Sequence, residues 1–198
     1  LIHLLATTSG TIDGGAEAID LKQSPAEWVS STPADSELAC LASAHDALGE
    51  AAPTLRIANL MQLQHNYSVD LYTEQTLSHA KLIIIRLLGG KSYWSYGVEV
   101  VAALAREKNI KLALVPGGQE ADAELSALST LPAAEVERIR QLVAYGGMRN
   151  TRALVQLCSG AITHAPQLLP WSVSHRPRHA TPRPPNFTCP LDERAPTR

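Results

Sequence analysis

The chain has 198 residues, 17 Lys and Arg against 19 Asp and Glu, a formal net charge of -2 and a hydrophobic share of 45%. That is enough apolar material for one sizeable core, in one domain or at most two. The near-zero charge argues against a nucleic-acid binder, whose affinity rests on a basic excess. No apolar run approaches the roughly 20 residues of a membrane-crossing helix, because Leu82-Ile83-Ile84-Ile85 meets Arg86 at once.

The average hides an asymmetry. Residues 1–160 hold 12 basic and 17 acidic side chains, whereas residues 161–198 hold 5 and 2, with 8 of the 13 prolines and the single Phe, Phe187. The start of the chain lacks the basic segment and cleavage site of a secretory signal. Cys40, Cys158 and Cys189 form no CxxC pair, which points to neither a disulfide framework nor a zinc site and makes a reducing cytoplasm the expected location.

In chain order, residues 2–6 read as a short apolar strand, followed by a polar loop through Gly10, Gly14 and Gly15. Thr32-Pro33-Ala34-Asp35 has the form of a helix start, with Thr32 as cap and Pro33 in the first turn. It predicts a helix over 34–48, ended by Gly49. A strand over 54–60 comes next. Beyond the loop 62–67, Ser68 can cap a helix reaching to about residue 80, with Asp70 favourably placed in its first turn.

Residues 81–87 form the clearest strand, since a continuous Leu-Ile-Ile-Ile run fits burial on both faces. Gly89-Gly90 breaks it, a helix is expected over 96–108, and a fourth strand over 111–115 is closed by Pro116-Gly117-Gly118. Three more helices are predicted, near 121–128, over 132–145 and over 148–159. Alternating strands and helices predict an α/β fold: a small open, mostly parallel sheet of about four strands with helices on both faces. The expected division is an α/β domain over 1–120, a helical extension over 121–160 and a disordered Pro- and Arg-rich tail over 161–198. The abrupt change of composition also fits a tail translated out of frame.

Ligands of open α/β sheets collect at the carboxyl ends of the strands. Three loops belong there on this reading: 7–11, 62–68 and 88–97. They place His65, Asn66, Tyr67, Gly89, Gly90, Tyr93 and Trp94 on one rim, a flat surface edged with donors that suits a planar or anionic ligand. Aromatic side chains in such loops also seal sheet edges, a competing role for Tyr93, Trp94 and Tyr96. His65-Asn66 equally fits a local cap, and His3, His45 and His79 read as packing or surface residues. Gly89-Gly90-Lys91-Ser92 is not a phosphate loop, because Ile85 stands where the Walker pattern needs its first Gly. Neither GxSxG nor a Cys with an evident His partner is present, so nucleophilic catalysis has no support. Gly10 and Gly14-Gly15 are mis-spaced for the dinucleotide fingerprint of a Rossmann-type oxidoreductase.

Longer motifs carry a resemblance. Thr8-Ser9-Gly10-Thr11-Ile12-Asp13-Gly14-Gly15-Ala16-Glu17-Ala18-Ile19-Asp20-Leu21, then Gln64-His65-Asn66-Tyr67-Ser68-Val69-Asp70-Leu71-Tyr72, then Leu87-Leu88-Gly89-Gly90-Lys91-Ser92-Tyr93-Trp94 and Leu112-Ala113-Leu114-Val115-Pro116-Gly117 occur in register. Over about residues 2–157 the chain resembles the amino-terminal part of the large subunits of aerobic, ATP-dependent cobaltochelatase, the CobN family, which is related to the porphyrin-binding subunit of magnesium chelatase. The resemblance implies a role in inserting cobalt into the corrin precursor hydrogenobyrinic acid a,c-diamide during cobalamin biosynthesis. It implies AAA+ ATPase subunits as partners, and cobalt and ATP as requirements of the whole complex rather than groups bound by this chain. The family's subunits are many times longer, so a fragment without activity of its own is expected. The resemblance carries over no catalytic residue. The alternative is a standalone tetrapyrrole-binding or partner-docking module.

Overall fold

The computed structural model describes residues 17–49 and 52–163. Four strands form a single sheet: β1 (Trp28–Thr32), β2 (Leu55–Asn59), β3 (Leu82–Leu87) and β4 (Lys111–Pro116). Their order is β2-β1-β3-β4 and every pairing is parallel, with Trp28 opposite both Leu55 and Leu82, and Leu82 opposite Lys111. Six helices connect and cover them: α1 (Asp35–Asp46), α2 (Asn66–Gln75), α3 (Ser95–Glu107), α4 (Ala123–Leu128), α5 (Ala133–Tyr145) and α6 (Gly147–Thr163). Short 3-10 turns at Leu60–Leu63, Leu77–His79 and Lys91–Trp94 complete the loops.

The strand side chains alternate between two cores, as the two-residue period of a strand requires. Val29, Ile83, Ile85, Leu112 and Leu114 meet Val69 and Tyr72 of α2, Val98 and Val101 of α3 and Leu125 of α4. Trp28, Leu82, Ile84, Ala113 and Val115 meet Leu41 of α1, Ile139 of α5 and Val155 of α6. The helices after residue 121 therefore contribute to both layers. Burial on both faces is why β3 and β4 read as near-continuous apolar runs.

The expected parallel α/β sheet of four strands with helices on both faces is present, but one strand differs. The strand predicted over 2–6 lies outside the described residues, and Trp28–Thr32 occupies the centre of the sheet instead. All five of its residues are buried. Its Ser30-Ser31-Thr32 sequence hides it, because hydroxyl side chains give no apolar pattern. The strands expected over 54–60, 81–87 and 111–115 are β2, β3 and β4.

Local details also differ. Thr32 ends β1 rather than capping α1; Ala34 holds the cap position without a side-chain bond. The Thr32 hydroxyl instead donates to Glu37 Oε2 at 2.8 Å and accepts from the Ala34 amide at 3.3 Å. Helix α2 begins two residues before Ser68, because His65 Nδ1 accepts the Tyr67 amide at 3.1 Å and acts as the cap. The Ser68 hydroxyl accepts from the Ile19 amide at 2.7 Å, fixing the segment that leads into β1. Of the predicted tail, residues 161–163 are the last turn of α6, and the remainder lies outside the described residues.

Both sheet edges are occupied. Arg56 Nε of β2 donates to the Ser24 carbonyl and Gln23 Nε2 to the Ile57 carbonyl, so residues 23–24 run along one edge. On the other, the β4 amides of Leu112 and Leu114 donate to Thr130 Oγ1 at 2.7 Å and Ser129 Oγ at 2.9 Å. A covered edge removes a template for unwanted strand pairing.

Candidate functional site

The loops that follow β2 and β3 meet above the carboxyl end of the sheet. Trp94 Nε1 donates to the Leu63 carbonyl at 2.7 Å, the Tyr93 hydroxyl lies 3.2 Å from Met61 Sδ, and the Tyr96 hydroxyl donates to Asp70 at 2.7 Å. That last bond raises the Tyr96 phenol above its usual range, since ionisation would place two negative charges together. Two of the three expected rim loops are thus brought together. The loop 7–11 lies outside the described residues.

The rim residues divide by environment. Trp94 is 7% exposed, and its indole lies flat against Gly97, where an added Cβ would stand 2.1 Å from Cε2. It is a packing unit whose polar N–H is satisfied by backbone. His65 spends one ring nitrogen on its helix cap, and Asn66 opens the helix. Gly90 takes φ +66, a conformation that favours glycine, and Gly89 lies under the Tyr93 ring. Tyr67 and Tyr93 are exposed, together with Met61 and Leu88. His45, read as a packing residue, packs against Trp28 with Nε2 2.7 Å from the Pro53 carbonyl.

A second place was not legible in the sequence. On the α1, α5 and α6 side of the sheet, a cavity of about 320 Å³ lies between β1, the carboxyl half of β3 and these helices. Its floor includes Ser30, Thr32, Ile84 and Arg86, and its walls include Leu38, Leu154 and Gly146. Arg86 leaves the apolar run of β3 on this face. It pairs with Glu37 and donates through Nη2 to the Gly117 carbonyl at 2.6 Å, while its buried Nε has no partner. Burial lowers its basicity relative to a free guanidinium. In the sequence, the only signal was a charge directly after four apolar residues of a buried strand.

Among the described residues, no group of three or more His, Cys, Asp or Glu side chains could hold a metal ion. No helix among them is long and apolar enough to cross a membrane. Cys158 is fully buried, and burial pushes its thiol up, away from reactivity.

Comparison with known proteins identifies relatives. The chain is 45% identical over 185 residues to the aerobic cobaltochelatase subunit CobN of Pseudomonas aeruginosa, a match covering 90% of this chain and 15% of that protein. It is 40% identical over 164 residues to the subunit of the same name from Sinorhizobium sp., covering 83% of this chain and 13% of the relative. Among solved structures, the catalytic subunit of cobaltochelatase from Mycobacterium tuberculosis matches with a TM-score of 0.59 and 26% identity, over 76% of this chain and 11% of that one. No family model matches. The chain thus spans about one seventh of the length of the curated relatives it matches, and the Pseudomonas aeruginosa match runs past residue 160.

Proposed function

From its homology to a small part of the aerobic cobaltochelatase subunit CobN, we propose that this chain supplies one domain, the amino-terminal one, of a cobaltochelatase large subunit. The observation that carries this reading is 45% identity sustained over 90% of the chain. In this role it contributes to ATP-dependent insertion of cobalt, as substrate, into hydrogenobyrinic acid a,c-diamide in cobalamin biosynthesis, beside AAA+ ATPase subunits.

Metal insertion needs two pyrrole protons removed and a strongly hydrated cation stripped of water, work for carboxylate or imidazole groups around a closed cavity. The rim of His65, Asn66, Tyr67, Gly89, Gly90, Tyr93 and Trp94 is open. Its contribution on this reading is therefore contact with the corrin or with neighbouring domains. Trp94 acts there by holding the loops together, and Tyr67 and Tyr93 present the surface. Grafting the chain in place of the matching region of the Pseudomonas aeruginosa subunit tests the assignment. Cobalt insertion by the chimera, with ATPase subunits and ATP, is the expected result; a folded chimera without activity overturns it. The isolated chain is expected to give no turnover in the same assay.

The exposure of Met61, Tyr67, Leu88 and Tyr93 on the loops and helix start after β2 and β3, with Tyr93 against Met61, favours a second reading, a partner-docking module without catalysis. Apolar side chains grouped at one rim mark interaction surfaces more than chance exposure does.

A further inference from the structure

The Arg86 cavity belongs to neither the rim nor the resemblance. It is a half-open cleft of about 320 Å³, a size at the lower end of small-molecule sites. It opens at the carboxyl ends of β1 and β3. From there the chain leaves into α1 on one face and α3 on the other, the kind of switch point where open parallel sheets take ligands.

Its lining restricts the guest. The hydroxyl side chains of Ser30 and Thr32 occupy inner-strand positions that apolar residues would otherwise fill. Leu38, Leu41 and Leu154 give the cavity an apolar wall. Arg86 and Glu37 neutralise one another, so a charged guest would enter without a counter-charge. A carboxylate would compete with Glu37 for the guanidinium and bring two acids together, which disfavours the charged form of both.

A primary carboxamide meets neither obstacle. Its carbonyl accepts from an Nη–H of Arg86, where each Nη keeps a second hydrogen beyond the bonds to Glu37 and the Gly117 carbonyl, while its NH₂ donates to a remaining lone pair of Glu37. The amide thereby presents the side-by-side acceptor and donor that match an Arg–Glu pair. We propose that this cavity binds a small neutral molecule carrying a primary carboxamide on an apolar body. The volume accepts a ring with one side group and is too small for a tetrapyrrole.

Titration of the full chain with benzamide, benzoate and toluene, followed by amide NMR, tests this. Benzamide is expected to shift the Ser30, Arg86 and Gly146 resonances saturably, with benzoate and toluene binding about tenfold more weakly, or weaker still. Ser30→Leu, which fills the floor with a residue suited to an inner strand, is expected to abolish the benzamide shifts while circular dichroism is retained. Arg86→Lys keeps the charge but loses the planar fork, and is expected to weaken benzamide about tenfold. The probe ranking uses the unaltered chain and stands even if a variant fails to fold. Absence of shifts at these residues up to the solubility limit of benzamide overturns the proposal. So does benzoate or toluene binding as tightly as benzamide, or unchanged binding in a folded Ser30→Leu chain.

Discussion

Gly97 shows how much a single hydrogen can decide. It lies in the first turn of α3 directly beneath the Trp94 indole, so a methyl group there would stand 2.1 Å from ring carbon Cε2. The ring cannot move aside without breaking its 2.7 Å bond to the Leu63 carbonyl. Gly97→Ala is therefore expected to destabilise the chain by about 2–3 kcal/mol, the upper range for overpacking a tight site. Urea denaturation measures the loss, and a red shift of Trp94 emission would report the displaced ring. Gly49 is the contrast, because nothing lies within 4 Å of its added Cβ. This difference between glycines was not legible in the sequence, where Gly97 looked like part of a helix start. Nor was the role of Arg86, which read as the end of an apolar run. The capping role of His65 was legible only in outline: His65-Asn66 fitted a local cap, but Ser68 read as the cap of α2, and the ring nitrogen that accepts the Tyr67 amide starts the helix earlier.

At the scale of elements, legibility followed apolar content. Strands β3 and β4 and helices α3 and α5 announce themselves by burial pattern and by the glycines or prolines beside them. Strand β1 does not, although it pairs with two neighbours. Its hydroxyl residues pack within a sheet whose remaining strands supply the hydrophobic surface. The edge of β4 depends on a different use of hydroxyls. Thr130 Oγ1 accepts from Leu112 and donates to the Ile110 carbonyl at 2.6 Å, and Ser129 Oγ accepts from Leu114 and donates to the Leu125 carbonyl at 2.9 Å. Replacing both by Ser129→Ala and Thr130→Val leaves two strand amides without partners. A loss of about 1–3 kcal/mol for each is expected, together with self-association through the bared edge, visible in light scattering as a rise with concentration. A variant as stable and as monodisperse as the parent would contradict this account of the edge.

For the whole molecule, the sheet is common property of two helical layers, and each layer holds one buried tryptophan. Trp28 lies in the core beneath α1, α5 and α6, and Trp94 in the core beneath α2 and α3. Because both layers rest on the same four strands, neither can open without exposing the sheet. Variants Trp28→Phe and Trp94→Phe, each also carrying Trp171→Phe so that one tryptophan remains, are expected to report denaturation curves of the same shape as circular dichroism on the same variant. If 121–160 is a separable helical extension, as its place in the sequence suggests, the Trp28 signal and the dichroism will part into two transitions. The experiment decides between one cooperative body and an α/β domain with an appendage.

The central place of β1 has a consequence for how the chain is made. Its flanking partner β2 follows soon, but Trp28 meets Leu82 on its other side only when β3 has left the ribosome. Until then the strand that will lie deepest has one edge open to solvent, at the stage when nascent chains are most exposed to wrong pairing. Three consecutive hydroxyl residues keep the faces of that strand polar while it waits. The low hydrophobicity that conceals β1 in the sequence thus suits a segment that is made before its second partner and enclosed only when that partner follows.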